Sequence, residues 1–293
     1  MARLLFVRVI QSTVGVLIVL VGSAGVPVVA VAMILAGFLL GVTRAGPWTR
    51  NHRHAAVTGL VLAGATIGHT LAVLNAPVAS VETVVQGGAL LPLIANPVQR
   101  RRPNVVILVL ACVVTGGLFV GFAGGSTVGV ALAVFAGVCA AGIVMRLESP
   151  PGRLPRRAYQ AVAITTGGSV LLPFAFAFGN STVTPRTLLV LLLLALIFAV
   201  TNLELGRVVP STGAVIAMSS SGLRPIAALL IGALVVDQRI TSSALALAAA
   251  YSVALAGLVQ VSRRVKPSEE PHASLLALPS QAADSSVSQR GEG

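Results

Sequence analysis

The most unusual charged residue in this sequence is Arg224, which lies inside the apolar stretch 211–236 (STGAVIAMSSSGLRPIAALLIGALVV). A guanidinium at bilayer depth costs roughly 3 kcal/mol on insertion scales, so it normally faces water, a ligand or a protein partner. Pro225 follows directly and has no N–H, which frees the carbonyl of Ser221. One interpretation is that Arg224 binds a substrate carboxylate, with Ser220 and Ser221 adding hydrogen bonds from the same face. The other is that Arg224 braces backbone carbonyls around a helix that Pro225 kinks.

The depth of Arg224 determines which carboxylates it can reach. At about 1.5 Å per residue, Arg224 lies roughly 20 Å from the inner end of its helix and about 18 Å from the outer end. By the same rise, Glu82 lies roughly 6 Å from the outer end of its own helix, about 12 Å away in level. Glu204 lies at the cytoplasmic end of the preceding span. We therefore expect Arg224 to have no acidic partner within the chain.

His69 and Glu82 form a second polar group. His69 lies five residues from the outer end of one span and Glu82 four residues into the next, with a short loop between them. The two helices are therefore expected to be antiparallel neighbours that place these side chains at one level, and Gln86 lies one turn deeper. A histidine beside a carboxylate can exchange a proton with it, which is the minimum equipment for proton coupling. The alternatives are a polar cavity lining without coupling, or a hydrogen-bonded pair near the headgroups.

Asn202 is a further candidate for substrate binding. With Thr201 it lies toward the inner end of its span, where it is positioned to line a cytoplasmic entry. Polar residues are also common at the ends of membrane helices, and that interpretation stays open.

The elements that must position these residues are membrane helices. The 293 residues are 56% hydrophobic and only 10% charged, and the apolar runs have the length that spans a bilayer. Gly and Pro punctuate the joints between the runs. Ten spans are predicted: 5–22, 27–43, 55–74, 78–98, 104–122, 127–146, 158–178, 186–203, 210–236 and 242–262.

The basic residues support this count and exclude a nucleic-acid partner. With the N-terminus in the cytoplasm, the inner side collects sixteen of the twenty Lys and Arg residues and the outer side only Arg186 and Arg239. This is the positive-inside pattern, and it explains the net charge of +12 by helix orientation. Both termini are predicted to be cytoplasmic. The inner residues are Arg3, Arg8, Arg44, Arg50, Arg53, Arg100, Arg101, Arg102, Arg146, Arg153, Arg156, Arg157, Arg207, Arg263, Arg264 and Lys266.

The two halves of the chain look alike. Each has five predicted spans, and each fourth span carries a mid-helix proline, Pro92 and Pro225. Because five is odd, the second copy must insert upside down, and inverted repeats are typical of transporters with a midplane substrate site. The predicted domains are a first repeat at 1–123, a second at 124–264 and a disordered cytoplasmic tail at 265–293.

The stretch LRPIAALLIGALVVDQRITSSALALAAAYSVALAGLVQVSRR resembles the end of a repeat of the EamA-type transporters, in the drug/metabolite transporter superfamily. The proline, the small-and-Leu run, Asp237 near the helix end, the turn at Ile240-Thr241 and the final basic residues carry the likeness. The nearest branch is that of the threonine/homoserine exporters. The resemblance implies a ten-helix basket with a cavity lined by the third, fourth, eighth and ninth helices. Arg224 stands where that branch often has an acidic residue.

The predicted class is thus an all-α, multi-pass protein of the plasma (inner) membrane that exports small metabolites, such as amino acids or other carboxylate-bearing compounds. The alternatives are efflux of cationic amphiphiles, and a non-transporting membrane sensor or assembly protein. No HExxH, CxxC or Walker motif is present, so no enzyme activity, metal or cofactor is expected. The expected partners are a small-molecule substrate and the bilayer, in a monomer or homodimer.

Overall fold

The computed structural model describes most of one compact unit, residues 1–262, and none of the segment 263–293. The described residues are 2–42, 50–87, 126–148, 154–178, 183–237, 240, 242, 245–246, 248–254 and 257. Several predictions therefore lie outside them: Pro92, the fifth span, the inner half of the fourth span, the boundary between the two repeats and the C-terminal tail.

Every regular element among the described residues is helical. The N-terminal part has α1 (Ala2–Val21), a 3₁₀ turn (Gly22–Ala24), α2 (Gly25–Leu39), α3 (Arg50–Asn75) and α4 (Val78–Gln86). The C-terminal part has α5 (Thr127–Glu148), α6 (Arg156–Phe178), α7 (Pro185–Thr212), α8 (Ala214–Ser219), a second 3₁₀ turn (Ser220–Leu223) and α9 (Arg224–Val236). Residues 248–254 are also helical.

Five helical stretches among the described residues are long and apolar enough to cross a bilayer: Leu5–Leu39, Arg50–Asn75, Thr127–Glu148, Arg156–Ala177 and Pro185–Thr212. Large apolar side chains cover their outer surfaces; Phe176 is 85% exposed and Leu234, on the shorter apolar helix α9, 84%. Apolar outer surfaces on helices of this length and hydropathy fit contact with lipid. The chain is therefore a membrane-embedded helical protein.

The helices pack closely, and small residues make this possible. Helix α2 lies against α6, and α3 lies against both α5 and α6. A Cβ on Gly168 of α6 would lie 2.8 Å from the carbonyl oxygen of Ala30 on α2. Contact through glycine is typical of membrane helices, whose association depends on close backbone packing.

The helices α1, α7 and α9 complete the packing around the fourth helix. Helix α7 packs on α1 and α2, α4 packs on α5 and α9, and α1 packs on α9. These contacts bring the outer half of the fourth predicted span next to the helix that begins at Arg224.

The eighth predicted span, 186–203, was too short. Helix α7 continues to Thr212 and contains Pro210, which the sequence placed at a joint. Near the end of α7, Arg207 Nη1 donates to Glu204 Oε1 at 2.6 Å on the helix surface. The sequence placed the end of the membrane span just before these two charges. The helix that carries them continues past that point.

The ninth predicted span, 210–236, is not one continuous helix. The chain turns at Gly213, where φ is 81°, and then forms the six-residue α8. The 3₁₀ turn Ser220–Leu223 follows, and α9 begins after it. Pro225 lies in the first turn of α9, where its missing N–H has no helical acceptor to lose. The interruption precedes Pro225, so the predicted kink at this proline is instead a break in the helix.

Two arginines that the sequence assigns to the inner side, Arg156 and Arg157, donate to backbone carbonyls of other helices. Arg157 at the start of α6 donates from Nε to the carbonyl oxygen of Leu40 at 2.9 Å and from Nη2 to that of Leu39 at 3.2 Å. Arg156 donates to the carbonyl oxygen of Arg207 at 3.4 Å. A cation at a helix C-terminus satisfies unpaired carbonyls and the helix dipole. These residues therefore also fix the positions of neighbouring helices.

Candidate functional site

A cavity of about 140 Å³ lies between α1, α3, α4, α5, α7 and the broken segment 214–224. Its volume is an order of magnitude above what a single water needs, so it has room for a small solute. The lining is mostly apolar, and its polar side chains are Arg8, Gln11, Thr66, His69, Gln86, Thr201, Asn202, Ser221 and Arg224. An apolar enclosure with a few converging polar groups is typical of a small-molecule site.

Glu82 joins two of the predicted site residues. Arg224 Nη2 lies 2.8 Å from Glu82 Oε2 and donates to Oε1 at 3.0 Å. His69 Nε2 lies 2.9 Å from the same Oε1. The Glu82 side chain is fully buried, and its carboxylate contacts side chains from two other helices. His69 and Glu82 are adjacent, as the short loop between their helices predicted; their part in proton transfer stays a prediction.

The expectation that Arg224 has no acidic partner was wrong. It rested on placing the outer ends of both helices, Val78 and Val236, at one level and counting about 1.5 Å per residue from there. Helix α9 is continuous from Arg224 to Val236, so the contact means that these two helix ends do not lie at one level. Because α9 packs on α4, Arg224 lies within contact distance of Glu82. Pairing supplies the countercharge that a buried guanidinium needs.

Arg8 is the second buried cation at the cavity, and the sequence gave it only a role in orienting α1. It is 4% exposed. Its Nη1 donates to Gln11 Oε1 at 2.8 Å and its Nη2 to the carbonyl oxygen of Ala217 at 2.7 Å. In the described part of the chain, no carboxylate forms an ion pair with Arg8. Sequence reasoning missed it because a basic residue about one turn into a first span matches the positive-inside pattern.

Four polar atoms at this cavity are buried without a hydrogen-bond partner among the described residues. They are Arg8 Nε, Arg224 Nε, Gln86 Nε2 and Ser221 Oγ. Three of the four are obligate donors, and the serine hydroxyl can also donate. Buried polar groups are almost always hydrogen-bonded, so the arrangement fits a solute or water that supplies acceptors.

Two other predicted residues have their donors engaged within their own helices. Ser220 donates to the carbonyl oxygen of Ala217 at 2.6 Å and is not part of the cavity lining. Asn202 lines the cavity, but its Nδ2 donates to the carbonyl oxygen of Phe198 at 2.9 Å. The amide oxygen of Asn202 is then the atom that it can offer to a solute.

Within the described ranges, no group of three or more His, Cys, Asp and Glu side chains is arranged to hold a metal ion. Among the described side chains of the site, Glu82 pairs with Arg224 and lies within hydrogen-bonding distance of His69.

Comparison with known proteins adds the fold alone. No family model matches this chain, and no curated protein matches it. One solved crystal structure, described only as that of a protein, aligns with a TM-score of 0.65 at 16% identity. The alignment covers 90% of this chain and 97% of that one, so the two share an overall fold.

Proposed function

We propose that this protein is an EamA-type secondary transporter of the plasma (inner) membrane, which exports small carboxylate-bearing metabolites by alternating access. The observation that carries the proposal is the cavity between apolar helices, which is lined by Arg8 and Arg224; among the described residues only Arg224 pairs with a carboxylate, that of Glu82. Intramembrane charge is costly and normally marks a solute pathway. A net positive cavity favours a negatively charged group on the solute.

The packing of the described helices supports the proposed likeness of the two halves, while the inversion and the ten spans rest on the sequence. The first four helices correspond in order to four in the second part: α1 to α5, α2 to α6, α3 to α7 and α4 to α9. When each helix is replaced by its counterpart, every major helix–helix contact becomes a contact that is also observed. The contact of α3 with α5 becomes that of α7 with α1, and α3 with α6 becomes α7 with α2. The contact of α4 with α5 becomes that of α9 with α1, while α2–α6 and α4–α9 map onto themselves. Such reciprocity is expected of two related halves.

The broken ninth span also supports transport. Discontinuous helices at the substrate site are common in secondary transporters, because non-helical backbone at membrane depth must line a cavity or be buried in protein. Here the break at Ser220–Leu223 places Ser221 and Arg224 beside the cavity. We expect that α9 can tilt relative to α8 at this break while α7 and α4 keep their positions.

Glu82 and His69 are the proposed proton-coupling residues. A proton on Glu82 would weaken its ion pair with Arg224 and free that guanidinium for the solute. Under a pH gradient, Glu82→Gln and His69→Gln should lose solute accumulation but keep counterflow, which needs no coupling. Unchanged accumulation in both variants would remove the pair from the mechanism.

Counterflow in proteoliposomes tests the proposed function. The panel is amino acids, organic acids and cationic dyes, each tested for saturable exchange against preloaded solute. Exchange of carboxylate-bearing solutes supports the proposal. Exchange of dyes alone would favour efflux of cationic amphiphiles, which Glu82 could serve if it left Arg224. Failure of every solute to exchange would favour a sensor or assembly protein.

A further inference from the structure

We infer that Arg8 binds the carboxylate of the transported solute, and that this solute is a monoanion without an ammonium group, such as a 2-hydroxy or 2-oxo acid. The inference rests on the proposed function and narrows its substrate class. It moves the carboxylate site from Arg224 on α9 to Arg8 on α1.

The charges of the cavity favour Arg8. Arg224 is neutralised by Glu82, with contacts of 2.8 and 3.0 Å to the two carboxylate oxygens. Arg8 is buried at the same cavity, and its hydrogen-bond partners among the described residues are the neutral oxygens of Gln11 and Ala217. Within the described residues, one positive charge is therefore uncompensated. A buried charge without a countercharge is unfavourable, and a bound monoanion would supply the missing negative charge.

The hydrogen-bonding atoms without a partner also favour a negatively charged solute. Arg8 Nε, Arg224 Nε and Gln86 Nε2 are buried donors without acceptors among the described residues, and Ser221 Oγ is also free to donate. The residues that carry them come from α1, α4 and the broken segment, and all of them line the cavity. A solute that fits must be rich in acceptors. A carboxylate with a neighbouring hydroxyl or keto oxygen has that character.

The same groups disfavour an ammonium. Both oxygens of Glu82 lie against Arg224, and Oε1 also lies against His69. Glu82 itself is not part of the cavity lining. The described lining residues offer an amino acid neutral acceptors, such as the amide oxygens of Gln86 and Asn202, and no carboxylate. An ammonium removed from water without a countercharge is unfavourable, so the site selects against zwitterions.

Matched solutes test the inference in the purified protein. Each of three sets shares one carbon skeleton: alanine, lactate and pyruvate; valine, 2-hydroxyisovalerate and 2-oxoisovalerate; phenylalanine, phenyllactate and phenylpyruvate. Titration calorimetry in nanodiscs is expected to show a hydroxy or oxo acid binding at least about tenfold more tightly than its amino acid in one set or more. Equal or tighter binding of the amino acids, absence of binding at millimolar concentrations in all sets, or tighter binding of inorganic phosphate would overturn it.

Variants locate the site. Arg8→Gln should weaken binding of the preferred acid at least about tenfold, and Arg8→Lys should weaken it less because the charge remains. Arg156→Gln, which removes an exposed arginine that donates to the carbonyl oxygen of Arg207, should bind as the unsubstituted protein does. Wild-type affinity in folded Arg8→Gln would contradict the inference. If Arg8→Gln does not fold, Arg8→Lys and the selectivity of the unsubstituted protein still decide it.

The two proposals fail separately. Tight binding of the acids without counterflow would remove the transport function and leave the anion site. Counterflow of amino acids in preference to their hydroxy acids would keep the transport function and remove the monoanion site.

Discussion

At the scale of single residues, the sequence identified several of the polar side chains at the site but not all of their contact partners. The short loop at Pro77 correctly placed His69 beside Glu82, because consecutive antiparallel helices fix the level of residues near their joint. The partner of Arg224 was missed, because the pairing joins α4 to α9 across the whole fold. Arg8 was missed for a similar reason: its burial depends on α8, which supplies the carbonyl of Ala217.

The Glu82–Arg224 pair gives the first prediction. Glu82→Gln leaves the Arg224 guanidinium in the membrane interior without a countercharge, so the free energy of unfolding should fall by about 3–5 kcal/mol. Glu82→Leu combined with Arg224→Met should recover most of this loss, because no unpaired charge remains. SDS-induced unfolding in detergent micelles measures both changes.

The matched control is Glu204→Gln, which breaks the surface pair with Arg207. Exposed pairs contribute about 0–1 kcal/mol, so this change should be small. A loss at Glu82 no larger than the loss at Glu204 would show that the buried pair does not stabilise the fold.

At the scale of helices, the sequence predicted the apolar segments and missed how one of them is interrupted. The predicted bounds of the spans in α1, α2, α3, α5 and α6 lie within a few residues of the observed ones, since hydrophobic runs and Gly or Pro joints mark them directly. The extension of α7 through Pro210 and the break before Arg224 have no comparable signal.

The turn at Gly213 gives the second prediction. With φ 81° and ψ 156°, Gly213 occupies a backbone region that is essentially restricted to glycine. Gly213→Ala should therefore lower the free energy of unfolding by about 1–3 kcal/mol. Gly142→Ala is the control, because Gly142 lies within α5 and the nearest atom to an added Cβ is 3.5 Å away.

The two substitutions should differ in sign. Replacing a helical glycine by alanine commonly stabilises by about 0.5–1 kcal/mol, so Gly142→Ala should raise the midpoint of SDS unfolding while Gly213→Ala lowers it. A neutral Gly213→Ala variant would mean that α7 and α8 join without a special backbone conformation.

At the scale of the whole molecule, composition and charge distribution predicted a helical membrane protein, and the long apolar helices agree with that class. The number of spans, the inverted repeats and the orientation remain proposals, and the reciprocal contacts of the described helices bear only on the likeness of the two halves. Sequence alone does not reveal the cavity, because its walls come from six separated segments that only the assembled fold brings together.

Orientation gives the third prediction. Helix α3 should cross the membrane with Asn51 on the cytoplasmic side and Asn75 outside, as the distribution of arginines requires. In a variant with Cys112 and Cys139 replaced by Ala, Asn75→Cys should react in intact cells with a membrane-impermeant maleimide, and Asn51→Cys only after permeabilisation. Reaction of Asn51→Cys in intact cells would reverse the proposed topology.

The most direct test of the central claim is counterflow of labelled lactate, 2-hydroxyisovalerate and phenyllactate in proteoliposomes that contain the unsubstituted protein or Arg8→Gln. We expect saturable exchange of at least one of these acids, at a rate at least about tenfold lower in Arg8→Gln with the same amount of folded protein. Equal exchange by the two proteins, or exchange of amino acids and cationic dyes in place of the acids, would contradict the account of a cavity that carries a monoanion on Arg8.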